Sequence, residues 1–256
     1  MILTIANQKG GVGKTTTAAT LADGLKQKGF KVLLIDLDGQ GNLSYTARAD
    51  MNGITSHELL HGKATAKQAT QHTEAGDIIA ASPNLAGSDR DLTGAGADKR
   101  LKEALEPIRS EYDFIIIDAP PSLSILTVNA ITAADSLIIT AQADIYSMQG
   151  IGQLYATIRA IQQTTNKSLT IAGILLTRYN ARSILTRDLT EMAEQTAAQL
   201  NTKIFKAKIR EGIAVKEAQA SGQSVLTYSP KSNAAKDYSD FIKELLGGFE
   251  NGKYNR

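Results

Sequence analysis

Apolar positions along the chain fall into two alternating patterns. Six short runs are apolar almost throughout: Ile2–Ala6, 31–36, 77–81, Phe114–Asp118, 136–140 and 169–176, with a weaker one at 203–205. Such runs read as parallel strands buried on both faces. Between them the spacing becomes helical. A helix is predicted from Lys14, with Ala18, Leu21, Ala22 and Leu25 on one stripe and Gly29 placed to stop it. Further helices are predicted over about 98–109, 122–134, 147–164, 184–200 and 232–246. Strands alternating with helices specify an α/β fold, a doubly wound and mainly parallel sheet flanked by helices. Segments 43–75 and 82–97 are polar and weakly periodic, and read as surface loops or short helices. No internal repeat and no Pro/Gly/Ser-rich linker divides the chain. Residues 1–246 therefore read as a single domain and 247–256 as a flexible tail.

Composition narrows the class. With 256 residues, 42% apolar and 21% charged, the chain is ordinary globular material. No apolar run reaches membrane-spanning length, and no basic leader precedes an apolar stretch at Met1, so a cytoplasmic protein is expected. The absence of cysteine excludes disulfides, iron–sulfur ligation and thiolate zinc sites. Three scattered histidines, His57, His61 and His72, argue against an imidazole metal site. The net charge of +2 is too small to announce a polyanionic partner, but it is unevenly spread. Residues 155–256 carry 15 Lys+Arg against 9 Asp+Glu, and residues 1–154 carry 13 against 17. A basic C-terminal part is an electrostatic footprint that whole-chain arithmetic hides.

The first strand runs into Gln8-Lys9-Gly10-Gly11-Val12-Gly13-Lys14-Thr15-Thr16, which opens the first helix. The pattern G-x-x-x-x-G-K-[ST] would need glycine where Gln8 stands. The physical content survives that departure. Gly10, Gly11 and Gly13 allow close backbone approach to a phosphate. Successive amides and the helix N-terminus supply partial positive charge. Lys14 would bring its ammonium to the β- and γ-phosphates of a nucleotide, and the Thr15 hydroxyl would ligate Mg²⁺.

Carboxylates follow two other strands. Asp36-Leu37-Asp38-Gly39-Gln40-Gly41-Asn42 succeeds the second, where acids at the C-terminal edge of a parallel sheet face the ligand crevice. Asp36 would orient Mg²⁺-bound waters or the loop itself, and Asp38 would position or deprotonate an attacking water. Phe114-Ile115-Ile116-Ile117-Asp118 ends in an acid with Walker B character that would reach Mg²⁺ through water, and Pro120-Pro121 stiffens the turn behind it.

Lysine at the head of the loop, in K-G-G-x-G-K-T-T, resembles the deviant Walker A motif of the ParA/MinD family of ATPases. The segments Ser122–Ala130, Tyr146–Leu154, Gly173–Arg182 and Tyr228–Ala235 extend the resemblance to the short, Soj-like ParA partition ATPases over nearly the whole chain. The resemblance implies ATP and Mg²⁺ as ligands and slow, partner-stimulated hydrolysis. It implies an ATP-dependent sandwich homodimer in which Lys9 reaches the other subunit's phosphates, making Lys9, Lys14 and Asp38 the catalytic set. Cofactor contacts would run from Lys9 through Gly10, Gly11, Val12, Gly13, Lys14, Thr15 and Thr16, with Thr15, Asp36 and Asp118 at the metal. Family analogy puts adenine near Arg178 and Asn180 and near Lys208 and Arg210. It also implies nonspecific double-stranded DNA binding through Arg182, Lys203, Lys206, Lys208 and Lys216, a ParB-like partner, and a nucleoid-associated location. Two departures stand out: Gly39 where the family has proline, and Glu211 in a loop where relatives often have Pro-Arg-Asn.

Other classes fit less well. A MinD-like positioning ATPase needs a basic amphipathic C-terminal helix for lipid, whereas 237–246 holds three acids and one lysine, so no membrane partner is expected. A related ATPase that positions another cargo stays open. A metal-cluster carrier needs cysteine, and no substrate-carrier site for a small-molecule kinase or synthetase is visible. The chain begins at the first strand, so the operator-binding segment of long ParA proteins is not expected.

Overall fold

The structure, a computed structural model, describes residues 1–180 and 184–250, without the side chains of Ile145, Tyr146, Met148, Gln149, 184–188 and Glu250. Its centre is a seven-stranded sheet: β1 (Ile2–Ala6), β2 (Val32–Asp36), β3 (Thr70–Thr73), β4 (Gly76–Ile79), β5 (Phe114–Asp118), β6 (Ser136–Gln142) and β7 (Thr170–Thr177). The spatial order is β3-β4-β2-β5-β1-β6-β7, parallel throughout except that β3 runs antiparallel to β4. The helices are α1 (Lys14–Gln27), α2 (Asn42–Thr46), α3 (Ser56–Leu60), α4 (Ala66–Ala69), α5 (Ser88–Asp91), α6 (Arg100–Leu105), α7 (Ile125–Ala133), α8 (Ile145–Gln163), α9 (Ile184–Gln199), α10 (Ile213–Ala220), α11 (Val225–Tyr228) and α12 (Asn233–Glu250).

Alternation along each strand divides the core. Ile2, Leu33, Ile35, Ile115, Ile117 and Ile139 pack with α6, α7 and α8 on one face, while Leu3, Ile5, Leu34, Ile116 and Ile138 pack with α1 and α12 on the other. Both faces are covered, which is why these strands read as solid apolar runs. α1 ends where the sequence predicts: Gly29 adopts φ 90° and its N–H returns to the Lys26 carbonyl.

The structure differs from the sequence reading at three places. Segment 43–75 is more than surface: Leu43, Leu59, Leu60, Ala66 and Ala69 are buried, and its end forms the edge strand β3. The strand residues Thr-Gln-His-Thr are too polar to signal a sheet, since an edge needs only one side-chain row inside. The weak strand at 203–205 reduces to an isolated bridge, Ile174 to Ile204. The last helix runs past 246 to Glu250, because Phe249 is buried beside the Phe114 ring, 6.3 Å between centroids. Among the described residues no helix is long and apolar enough to cross a membrane.

Candidate functional site

The C-terminal ends of β1, β2, β5 and β7 open onto a cavity of about 730 Å³. The loop between β1 and α1 forms its floor. Gly11 and Gly13 take φ 74° and 82°, values that side-chain-bearing residues rarely adopt. The loop is anchored from behind. The Gln142 amide donates to the Gly11 carbonyl (3.0 Å) and the Thr177 hydroxyl to the Val12 carbonyl (2.9 Å). In a trans peptide C=O and N–H point opposite ways, so the amides of Val12 and Gly13 face away from those anchors. The Val12 side chain itself is fully buried, leaving only its backbone to a ligand. Asn7 ties the loop entrance to β6 through the Thr140 carbonyl (2.6 Å) and receives the Lys9 N–H (2.9 Å).

Lys14 lines this floor although only 6% exposed, its ammonium donating to the Lys9 carbonyl at 3.0 Å. Burial lowers its pKa, and the charges of Asp118 and Asp38 oppose that shift. A partly desolvated cation beside amide donors is a phosphate receptor.

The Thr15 hydroxyl donates to Asp118 Oδ2 at 2.6 Å, while Asp118 Oδ1 is buried without a hydrogen-bond partner. Asp118 also pairs in register with Asp36 across β2 and β5. Burial first, and the Asp36 charge second, push the Asp118 carboxyl well above the ordinary range. Asp36 is pushed up to about 6 by burial, partly offset by hydrogen bonds from Ser44. An orphaned carboxylate oxygen next to a hydroxyl fits a hydrated divalent cation. Mg²⁺ keeps several waters and takes phosphate oxygens, so a hydroxyl and a carboxylate are enough protein groups to hold it. Of the two roles open to Asp36, the geometry supports holding the loop. Its Oδ2 accepts from the Ser44 N–H and hydroxyl (both 2.8 Å), its Oδ1 accepts from the Asp38 N–H (3.0 Å), and it does not line the cavity. Asp38 does line it, with Oδ1 accepting the Gln40 N–H at 3.1 Å.

At the far end two loops meet. The Tyr179 N–H donates to the Ile209 carbonyl (2.9 Å), and Arg178, at φ 49°, pairs with Glu211 at 2.9 Å. Arg178 and Arg210 line the cavity, but Arg210 is turned onto Asp237, which takes its guanidinium in a two-pronged ion pair and its backbone N–H at 3.0 Å. Asn180 and Lys208 do not line it, and the Lys208 ammonium sits 4.6 Å over the Tyr179 ring. Lys216, grouped with the basic surface by sequence, lines the cavity instead. Lys203 pairs with Glu244 at 3.5 Å, Lys206 is exposed, and Arg182 lies outside the described residues.

Lys9 is not part of the cavity wall. Its ammonium meets Asp144 Oδ2 at 2.7 Å, each side chain 30% exposed. Asp144 also caps α8, accepting the Ser147 N–H at 2.9 Å. Partial burial raises the Asp144 carboxyl, but bonds from Lys9 and Ser147 outweigh it and hold the pKa below the ordinary value.

Sequence reasoning missed the supports: Gln142, Thr177, Asp144, Tyr238, whose hydroxyl meets Thr17 at 3.1 Å, and Gln219, which donates to the Thr16 hydroxyl at 2.7 Å. Only Asp144 carried a legible signal, an Asp-x-x-Ser cap ahead of a helix.

A glycine-rich loop from strand to helix, Lys14 and Thr15 at the helix start and acids ending two neighbouring strands define a P-loop nucleotide-binding protein. The AAA domain family model matches residues 1–171. The chain is 38% identical over 250 residues to the sporulation initiation inhibitor protein Soj of Bacillus subtilis, covering 95% of this chain and 97% of that one. It is 38% identical over 252 residues to the chromosome partitioning protein ParA of Caulobacter vibrioides, covering 96% and 93%. Among solved structures it is similar to cobyrinic acid a,c-diamide synthase of Mycobacterium smegmatis with bound ATP analogue and magnesium, at TM-score 0.84 and 34% identity over 98% of this chain and 96% of that one. It is also similar to the cell division ATPase MinD of Pyrococcus furiosus, at TM-score 0.77 and 25% identity over 96% and 98%. The chain belongs to the ParA/MinD family of P-loop ATPases, among the Soj-like partition proteins.

Proposed function

We propose that this protein is an ATP-hydrolysing, Soj-type partition ATPase that acts as an ATP-dependent dimer on DNA. The amides of Val12 and Gly13 and the Lys14 ammonium bind the β- and γ-phosphates. Thr15 and Asp118 hold Mg²⁺ through its waters, and the ion neutralises charge between the phosphates when bound. Asp38 orients the attacking water from the cavity edge. Asp36 keeps the Asp38 loop in place through Ser44. Adenine lies against the backbone of 209–212 and Arg178.

The position of Lys9 carries the reading: its ammonium is anchored outside the cavity, and Lys14 already fills the cation position inside. Two ammonium groups on one phosphate side would repel, so Lys9 serves a phosphate on another copy of the chain. Each charge-assisted contact is worth roughly 1.5–3 kcal/mol, so two per dimer shift association by roughly 100-fold or more. Dimerisation doubles a basic surface that includes Lys206, with the cavity-side Lys216 and the Glu244-bound Lys203 contributing less. Such a surface binds phosphates without reading bases, and a ParB-like protein on the cargo stimulates turnover. A lipid surface suits the chain less well, because the apolar side of α12 (Phe241, Ile242, Leu245, Phe249) is buried on the body. The protein then works in the cytoplasm on the nucleoid.

The test is co-sedimentation of wild type and Lys9→Ala with random-sequence DNA or anionic liposomes, with and without ATP, beside ultracentrifugation. The expected result is ATP-dependent, salt-sensitive DNA binding by a wild-type dimer, and a Lys9→Ala protein that binds ATP yet stays monomeric and off DNA. A Lys9→Ala protein that dimerises normally refutes the trans role, and liposome binding in place of DNA refutes the partition reading.

A further inference from the structure

Residues 57–61 read His-Glu-Leu-Leu-His, two histidines four apart. Counted along the sequence the histidines look scattered, but the turn of α3 brings this pair together, with ring centroids 4.2 Å apart and planes at 35°. Their hydrogen bonds fix the tautomers. His57 Nδ1 lies 2.9 Å from Glu58 Oε1, and His61 Nδ1 lies 2.8 Å from the His57 carbonyl. Both partners are acceptors: one is a backbone carbonyl, the other a carboxylate whose second oxygen already takes the Thr55 N–H and hydroxyl. Each Nδ1 therefore carries a proton, which leaves Nε2 as the nitrogen that can offer a lone pair. Neither Nε2 is among the buried polar atoms left without a partner. A histidine whose Nδ1–H is held by a carboxylate or a backbone carbonyl has the ring orientation of a metal ligand.

We propose that His57 and His61 form a two-imidazole chelate for a divalent transition metal of the nickel–copper type. Rings whose centres lie 4.2 Å apart are close enough to share one ion at metal–nitrogen bonds of about 2.1 Å. Two imidazoles with the other positions open suit the square-planar or octahedral coordination of nickel and copper. The remaining positions fall to water, since no third His, Asp or Glu converges there among the described residues.

The spacing is also that of the H-E-x-x-H zinc peptidases, but Glu58 is not a free general base. Its Oε2 accepts the Thr55 N–H (3.0 Å) and hydroxyl (2.5 Å) in the capping box of α3, and its Oε1 takes His57. The site holds a metal without hydrolytic chemistry. Neither histidine lines the nucleotide cavity; α3 meets the end of β2 where the Ser56 hydroxyl donates to the Asp36 carbonyl at 2.8 Å.

The test is isothermal titration of the untagged full chain with Ni²⁺ in excess Mg²⁺, using wild type, His61→Gln and His72→Gln. The expected result is one Ni²⁺ per chain in wild type and His72→Gln, and affinity at least about 10-fold lower in His61→Gln, the loss that accompanies damage even to a ligand's outer partner. Substoichiometric Ni²⁺ should also broaden the ring protons of His57 and His61 before those of His72 in the wild-type NMR spectrum, which needs no variant to fold. Absence of Ni²⁺ binding, unchanged affinity in His61→Gln, or preferential broadening at His72 overturns the proposal.

Discussion

Replacing Asp144 with asparagine should make the protein dimerise more tightly. In the single chain the Lys9 ammonium is bonded to Asp144 at 2.7 Å, so it must leave that carboxylate before it reaches a second copy. With both side chains about one-third exposed, solvent screens the pair, and its worth is the upper end of a surface ion pair, about 1 kcal/mol. Each dimer breaks two such pairs, so the cost is about 2 kcal/mol, or about 30-fold in association. Asparagine removes the charge but keeps an oxygen for the Ser147 N–H, so the cap of α8 survives. The measurement is sedimentation equilibrium with a non-hydrolysable ATP analogue, with a thermal melt to show that the fold is unchanged. A dimer about 10- to 30-fold tighter is expected. An Asp144→Asn protein that folds normally but dimerises no better than wild type refutes the idea that Asp144 restrains Lys9.

Lys14→Ala should weaken nucleotide binding at least about tenfold, the value of one charge-assisted contact, and a change within a factor of two by fluorescent-nucleotide titration contradicts the receptor described. Asp38→Ala should bind ATP and form a persistent dimer while phosphate release stops; wild-type turnover makes Asp38 structural. Because burial raises both Asp36, to about 6, and Asp118, the folded chain takes up protons more readily than the unfolded chain. Stability without ligand should therefore fall as pH rises from about 4 through about 6, and Asp36→Asn should flatten that slope in melts run across the range. Mg²⁺ with ADP should stabilise more at pH 8 than at pH 5, since only ionised Asp118 attracts the cation.

The sequence by itself determined the elements whose signal is local. Strands covered on both faces must be apolar throughout, so β1, β2 and β5 were legible almost to the residue. The phosphate loop was legible because left-handed backbone demands Gly11 and Gly13 and phosphate demands Lys14, all within one short segment. The acids at 36 and 118 were visible as the polar ends of apolar strands, but their division of labour was not. That depended on Ser44, eight residues beyond Asp36, and on Thr15, which reaches Asp118 only when β1 and β5 lie side by side. Side-chain anchors such as Gln142 and Thr177 have no pattern of their own, since any polar residue at a strand end looks alike until the fold brings it to a carbonyl. The same holds for the basic residues: a string of lysines does not reveal that Lys216 turns into the cavity or that Lys203 is taken up by Glu244. Local propensity and burial fix which residues become strand, helix or loop. Which distant charges meet is fixed only by packing: Arg210–Asp237, Lys203–Glu244 and Lys9–Asp144 join residues 27, 41 and 135 positions apart.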